Sequence, residues 1–316
     1  MMDDILSGIS LSRRGKILKE RKRSVFTMLN FQKLTIEHFV KELESVYHRN
    51  YSDIEPDFGN LIKWSGRLAL ENIANSDALY HDLYHTVMVT LAGQAILEGK
   101  HLCEGGITPR DWLHATIAFL FHDIGYVKGV CRNDTATRFA TGAGNGIVDI
   151  PEGGTDAALT PYHVDRSQLF VRERFGGKLI NGLERVIDAD VIASYIEMTR
   201  FPVPKDDLHR DTKGYGGIVR AADFIGQMGD PNYPRKTPSL FCEFEELGIN
   251  EELGYKRPGD LRKNYARFYW DVVSPLIQDA LRYLRLTQDG KQWISTLYAN
   301  VFTSEHIGTR TKELNR

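Results

Sequence analysis

Apolar residues recur at helical spacing along almost the whole chain. Phe39, Leu43, Val46 and Tyr47, then Leu61, Trp64, Leu68 and Leu70, follow a period of about 3.6 residues rather than 2. Trp112, Ile117 and Leu120 continue the pattern, with Pro109 at the expected start of their helix, and Ile180, Leu183, Val186 and Ile187 mark another. Strand-like alternation is hard to find. A chain patterned this way buries its apolar surface helix against helix, so the expected fold is an all-α, multi-helix bundle. With 316 residues and 42% of them hydrophobic, a sizeable core is available.

Two stretches depart from the helical texture. Gly129 to Thr160 is rich in Gly, Thr, Asp and Asn and too long for an ordinary connector, which predicts a lid or inserted loop with a small hairpin at Gly146 to Ile150. Met228 to Pro238 carries three prolines and reads as a second break before the helical stretch Leu261 to Leu286. Neither resembles a domain linker. The expected organisation is a basic, disordered extension over residues 1–30 and one helical domain over 31–316 with the Gly-rich insertion at 129–160. The extension holds Arg13, Arg14, Lys16, Lys19, Arg21, Lys22 and Arg23, and Met28 is a second candidate for the natural start.

Lys and Arg number 40 against 42 Asp and Glu, a formal charge of −2 that gives no reason to expect a nucleic acid partner. The three cysteines, Cys103, Cys131 and Cys242, form no CxxC pair and suit free thiols in a cytoplasmic protein. No apolar run approaches the roughly 20 residues of a membrane span. An apolar face carrying Trp293, Leu297 and Val301 is a candidate homodimer surface.

Chemistry concentrates in His and Asp. Tyr80-His81-Asp82-Leu83-Tyr84-His85 places two histidines four residues apart, predicting one helical face and one cleft. His122-Asp123 closes a strongly apolar helix, where a carboxylate is costly unless paired or bound to a cation. Asp223 repeats that situation in Val219-Arg220-Ala221-Ala222-Asp223-Phe224. Two imidazoles and two carboxylates suit a borderline divalent ion such as zinc, iron or manganese.

His85, the His122-Asp123 pair and Asp223, in that order, resemble the H…HD…D signature of the HD-domain metal-dependent phosphohydrolases. Within that superfamily Tyr80-His81-x-x-x-His85 is similar to the YHNxxHA motif of class I cyclic-nucleotide phosphodiesterases, and Arg220-Ala-Ala-Asp223 to their KxAD motif. Phe268 to Leu276 is similar to the segment carrying their conserved proline and leucine, so the likeness runs from about Ala78 to about Leu284. It implies His85, His122, Asp123 and Asp223 as ligands of a first metal, Asp123 bridging to a second ion (magnesium or manganese), and His81 as general acid. It also implies His163 near the second ion's water shell, Glu197 lining the pocket and Phe268 as the aromatic clamp. Two positions depart: Tyr126 stands where the phosphodiesterases have a further His, and Tyr265 where they have the purine-binding Gln, whose paired donor and acceptor a phenol cannot reproduce.

The expected function is a metal-dependent phosphohydrolase that cleaves a small, nucleotide-like phosphate ester or phosphodiester with metal-activated water and His81 as acid. Two alternatives stand beside it: a di-iron oxygenase of the HD-domain type, for which His163 is the obvious spare ligand, and a metal-stabilised regulatory or binding module without catalysis.

Overall fold

A computed structural model describes residues 30–177 and 186–313. Contacts divide the chain into two units, 1–31 and 32–316, and the second carries the helical bundle. The expectations for a disordered tail and for a helix around Ile180 and Leu183 fall outside the described residues. Val186 and Ile187 are not helical and lead into the next helix.

The fold is all-α, with one two-stranded hairpin among the described residues. The first two periodic stretches become α1 (Phe31–Tyr51) and α2 (Asp57–Ile73). Then come α3 (Leu83–Glu104) and α4 (Pro109–Phe121). Thr108 caps α4 in a reciprocal capping box with Asp111, and Pro109 occupies the first turn, where its missing N–H costs nothing. Every side chain from Trp112 to Phe121 is buried, which makes α4 the central rod of the bundle. Each large apolar side chain there contributes about 1.5–3 kcal/mol. It packs between α2, α3, α6 (Ala189–Glu197) and α7 (Tyr215–Met228).

Two of the three prolines of the expected second break, Pro234 and Pro238, sit in a helix, α8 (Tyr233–Glu246), and Pro231 lies in the turn before it. Pro238 cannot donate to the Pro234 carbonyl, and that oxygen instead accepts from Thr237 Oγ1 at 3.0 Å and Arg262 Nη2 at 2.8 Å. The short α9 (Ile249–Leu253) and α10 (Pro258–Phe268) follow. A π-helical turn, Tyr269–Val273, then joins α10 to α11 (Ser274–Leu284), where Pro275 cannot continue the regular ladder. The last helix is α12 (Gln288–Glu313).

Two expectations are corrected. The face of Trp293, Leu297 and Val301 is not a free dimer surface: Leu297 and Val301 are buried and Trp293 packs against the same core. The Gly-rich insertion is not a loosely hung lid. Its hairpin pairs β1 (Arg138–Ala140) with β2 (Ile147–Asp149) in the register Phe139↔Val148. Arg166, on α5 (His163–Phe175), reaches it from beneath with a fully buried guanidinium, pairing with Asp134 at 2.9 Å and donating to the carbonyls of Val127 and Ala140. Lys128 and Glu246 tie down the Gly154–Thr155 end. The three thiols are free, and burial pushes that of Cys131 up to about 12. No helix among the described residues is long and apolar enough to cross a membrane.

Candidate metal centre

Four elements deliver the His and Asp side chains. Asp82 caps α3 by accepting from the His85 N–H at 2.9 Å, which sets His85 in the first turn, and α4 ends at His122 and Asp123. Asp223 lies midway along α7. That helix meets α3 closely at Gly226, where a Cβ would stand 2.7 Å from the Val89 Cα, and this approach carries Asp223 to His85. At Gly125 a Cβ would lie 2.0 Å from the His163 carbonyl oxygen, so the turn after Asp123 seats directly on α5. Ser167 completes that contact, accepting from the Gly125 N–H at 2.9 Å and donating to the His122 carbonyl at 2.7 Å.

His85, His122 and Asp223 each direct one ligand atom so that these atoms lie within 4.8 Å of one another, a group that could hold a metal ion. The two Nε2 atoms face each other at 3.4 Å. Asp123 Oδ2 stands 3.2 Å from His85 Nε2 and 3.1 Å from His122 Nε2, and Asp223 Oδ1 stands 3.4 and 3.7 Å from the same two atoms. His122 Nδ1 lies 2.9 Å from the Phe119 carbonyl, which can only accept; in the neutral ring Nε2 therefore carries the lone pair. Asp123 Oδ2 is buried without a hydrogen-bond partner. An orphaned carboxylate oxygen beside two imidazole nitrogens is a donor set that a divalent cation satisfies, so these residues fit one. Without a cation, burial disfavours charge on His85, but Asp123 and Asp223 outweigh it and raise the imidazole to about 10.

His81 lies outside the helix, contrary to the expected single helical face. With Asp82 as cap, α3 begins at Leu83 and His81 occupies the bend before it. Its ring still comes within 5.5 Å of that of His85. It is held by a residue the sequence reading missed. Glu243, buried on α8, accepts from His81 Nδ1 at 2.6 Å and from the backbone N–H groups of Tyr80 and His81 at 2.6 and 3.3 Å. Burial alone would lower the His81 pKa; the Glu243 carboxylate reverses that and leaves it raised. Tyr126 stacks between two imidazoles, 4.4 Å from the His81 ring and 4.5 Å from that of His163. His163 opens α5, gives its Nδ1 proton to the Thr160 carbonyl at 2.6 Å, and turns Nε2 toward Asp123 Oδ1 at 3.9 Å.

Residues 29–307 match the Npun_R2479-like family. The chain belongs to that family. No curated protein matches the sequence. Every residue of the centre lies inside the span shared with the family.

The remaining predicted residues separate into two groups. Glu197 and Phe268 are half-buried. Glu197 accepts from Arg200 and Gln168, while Phe268 packs edge-on against Phe201 and Phe224 at 5.8 and 6.3 Å. Tyr265 is turned into the core, with its hydroxyl donating to the Met228 carbonyl and its ring against Tyr233. A cavity of about 230 Å³ adjoins His163, lined also by Arg200, Phe201, Val164, Leu247 and Ile249. Glu243 was legible by the same reasoning that singles out Asp123, since it is an acid set among Phe241, Cys242 and Phe244. Arg166, Ser167 and Arg200 carry no comparable signal.

Proposed function

We propose that this chain is a metal-dependent hydrolase of small phosphate esters or phosphodiesters, an HD-domain enzyme in its arrangement of His85, His122, Asp123 and Asp223. The observation that carries the reading is the pairing of an orphaned, buried Asp123 oxygen among the imidazole nitrogens of His85 and His122 with a third histidine, His81, held at the edge of the same group. Bound by those four residues, a divalent ion would supply Lewis acidity toward a phosphoryl oxygen and hydroxide from water near neutral pH. The chain's own part is the proton. Glu243 keeps His81 Nδ1 protonated and raises the ring's basicity, so that Nε2 can carry a proton and deliver it to the leaving alkoxide. Tyr126 fixes the plane of that ring by stacking, and its own hydroxyl stays protonated because burial and the nearby Asp123 raise it far above the ordinary phenol value.

A second reading rests on His163. Its Nε2 faces Asp123 Oδ1, on the other oxygen of the same carboxylate, which suits a second ion with a histidine ligand and hence the di-iron oxygenase alternative. The test is metal analysis of protein purified without added metal, followed by a panel of phosphate esters. Stoichiometric zinc, manganese or iron with ester hydrolysis is expected. Two irons per chain with oxygen consumption and no hydrolysis would favour the second reading. Asp123→Ala should remove metal and activity together, and full metal content in that variant would show that other groups do the binding.

A further inference from the structure

His81 sits in residues 74–82, the non-helical link between α2 and α3. Glu243 fixes the end of that link, at Tyr80 and His81. Its middle is fixed by a carboxylate of its own: Asp77 Oδ1 accepts from the Asp156 N–H at 2.6 Å. Asp156 belongs to a corner near the end of the Gly-rich insertion, Gly154-Thr155-Asp156, and the corner has two supports. Glu246 accepts from the Thr155 N–H at 2.7 Å and from its hydroxyl at 2.5 Å, but from an exposed position on α8. Lys128, half-buried, is the other: its Nζ donates to the Gly154 carbonyl at 2.6 Å and stands 3.6 Å from Asp156 Oδ1. The Asp156 side chain is only 5% exposed, so its charge calls for a counter-charge close by, and Lys128 supplies it. Burial raises the Asp156 carboxyl above the ordinary range; a hydrogen bond with Ser76 opposes this, Asp77 adds to it, and Lys128 opposes it. Lys128 also lies five residues beyond Asp123, on a stretch that Arg166 grips through the Val127 carbonyl at 3.0 Å. An unbroken run of contacts therefore leads from the turn carrying Asp123, through Lys128 and the insertion corner, to Asp77, four residues before His81.

We infer that Lys128 is a positioning residue for His81: it holds the link at Asp77 in register with the turn that carries Asp123, and so fixes where His81 Nε2 stands relative to the His and Asp cluster. The acid role of His81 rests on the hydrolase reading, whereas its placement can be read without turnover. In the full chain with isotopically labelled histidine, the proton that His81 Nδ1 donates to Glu243 at 2.6 Å gives a downfield magnetic resonance signal, assigned by its loss in His81→Asn. Lys128→Met removes the charge and keeps the stem, and Asp77→Ala breaks the same run of contacts at an exposed position, away from the core. Each is expected to move that signal upfield or broaden it away. Each should also lower turnover of an alkyl phosphate ester at least about tenfold, a part of the roughly 10²–10⁴ that an acid supplies, and that of a nitrophenyl ester less than about threefold. The double variant should lose no more than either single one, because both cut one run of contacts, and Lys128→Arg, which keeps the charge, should retain both readouts. A signal unchanged in Lys128→Met and Asp77→Ala, equal losses on the two esters, or additive losses in the double variant would overturn the assignment. A displaced signal in a chain that hydrolyses no ester would sink the hydrolase reading and leave the placement role standing; hydrolysis by the unmodified chain with an unmoved signal in both variants would do the reverse.

Discussion

At the scale of single residues, the pair His81 and Glu243 separates a working hydrolase from a protein that only binds metal. General acid catalysis is worth about 10²–10⁴-fold, so His81→Asn should lower turnover of an alkyl phosphate ester by that factor with metal content unchanged. An activated nitrophenyl ester leaves without a proton and should lose far less. Glu243→Gln should show the same dependence on leaving group to a smaller degree, because it removes the charge that sustains the proton on His81 while keeping the side chain's shape. Steady-state kinetics on both esters reads the split. Equal losses on the two would mean that these residues merely support the fold.

At the scale of elements, Arg166 and Asp134 form the joint between α5 and the glycine-rich insertion, and both side chains are wholly buried. Removing one partner strands the other charge, so Arg166→Met should cost about 3–5 kcal/mol in urea unfolding. The double variant Arg166→Met/Asp134→Leu should recover much of that loss. A cost below about 1 kcal/mol would show that the insertion holds its place without the pair. The sequence made α1 to α4 legible because each has a clear apolar face or a cap, as in Thr108-Pro109. It misled where local signals were outvoted by distant partners: Pro238 reads as a breaker until Arg262 is seen to take over the Pro234 carbonyl that it leaves without a partner. The same holds for the centre. His85, His122, Asp123 and Asp223 stand out through cost of burial and order; Glu243, an acid among apolar neighbours, signals burial but not its partner His81, and Ser167 matters through contacts that no local pattern announces.

At the scale of the whole molecule, His114 links stability to pH. It is buried on α4, and its Nε2 stands at the start of α6 between the Asp188 N–H at 3.1 Å, which donates to the neutral ring, and the Val186 carbonyl at 3.2 Å, which accepts from a protonated nitrogen. Burial outweighs the opposing Val186 carbonyl and, aided by Arg110, lowers its pKa below the ordinary 6.5. The unfolded chain therefore takes up a proton before the folded one does, and stability is full above about pH 6.5 and falls as pH drops below it. Thermal unfolding of the protein and of His114→Gln between pH 7.5 and 5.5 checks this; the variant's curve should be the flatter of the two, and parallel curves would remove His114 from the account. The contact between Glu243 and His81 reaches across 162 residues of chain. A site carried on one loop can be moved between proteins by exchanging a short piece of gene. This one can only be inherited whole, and a descendant that loses α8 would keep all four candidate ligands while losing the residue that holds the acid.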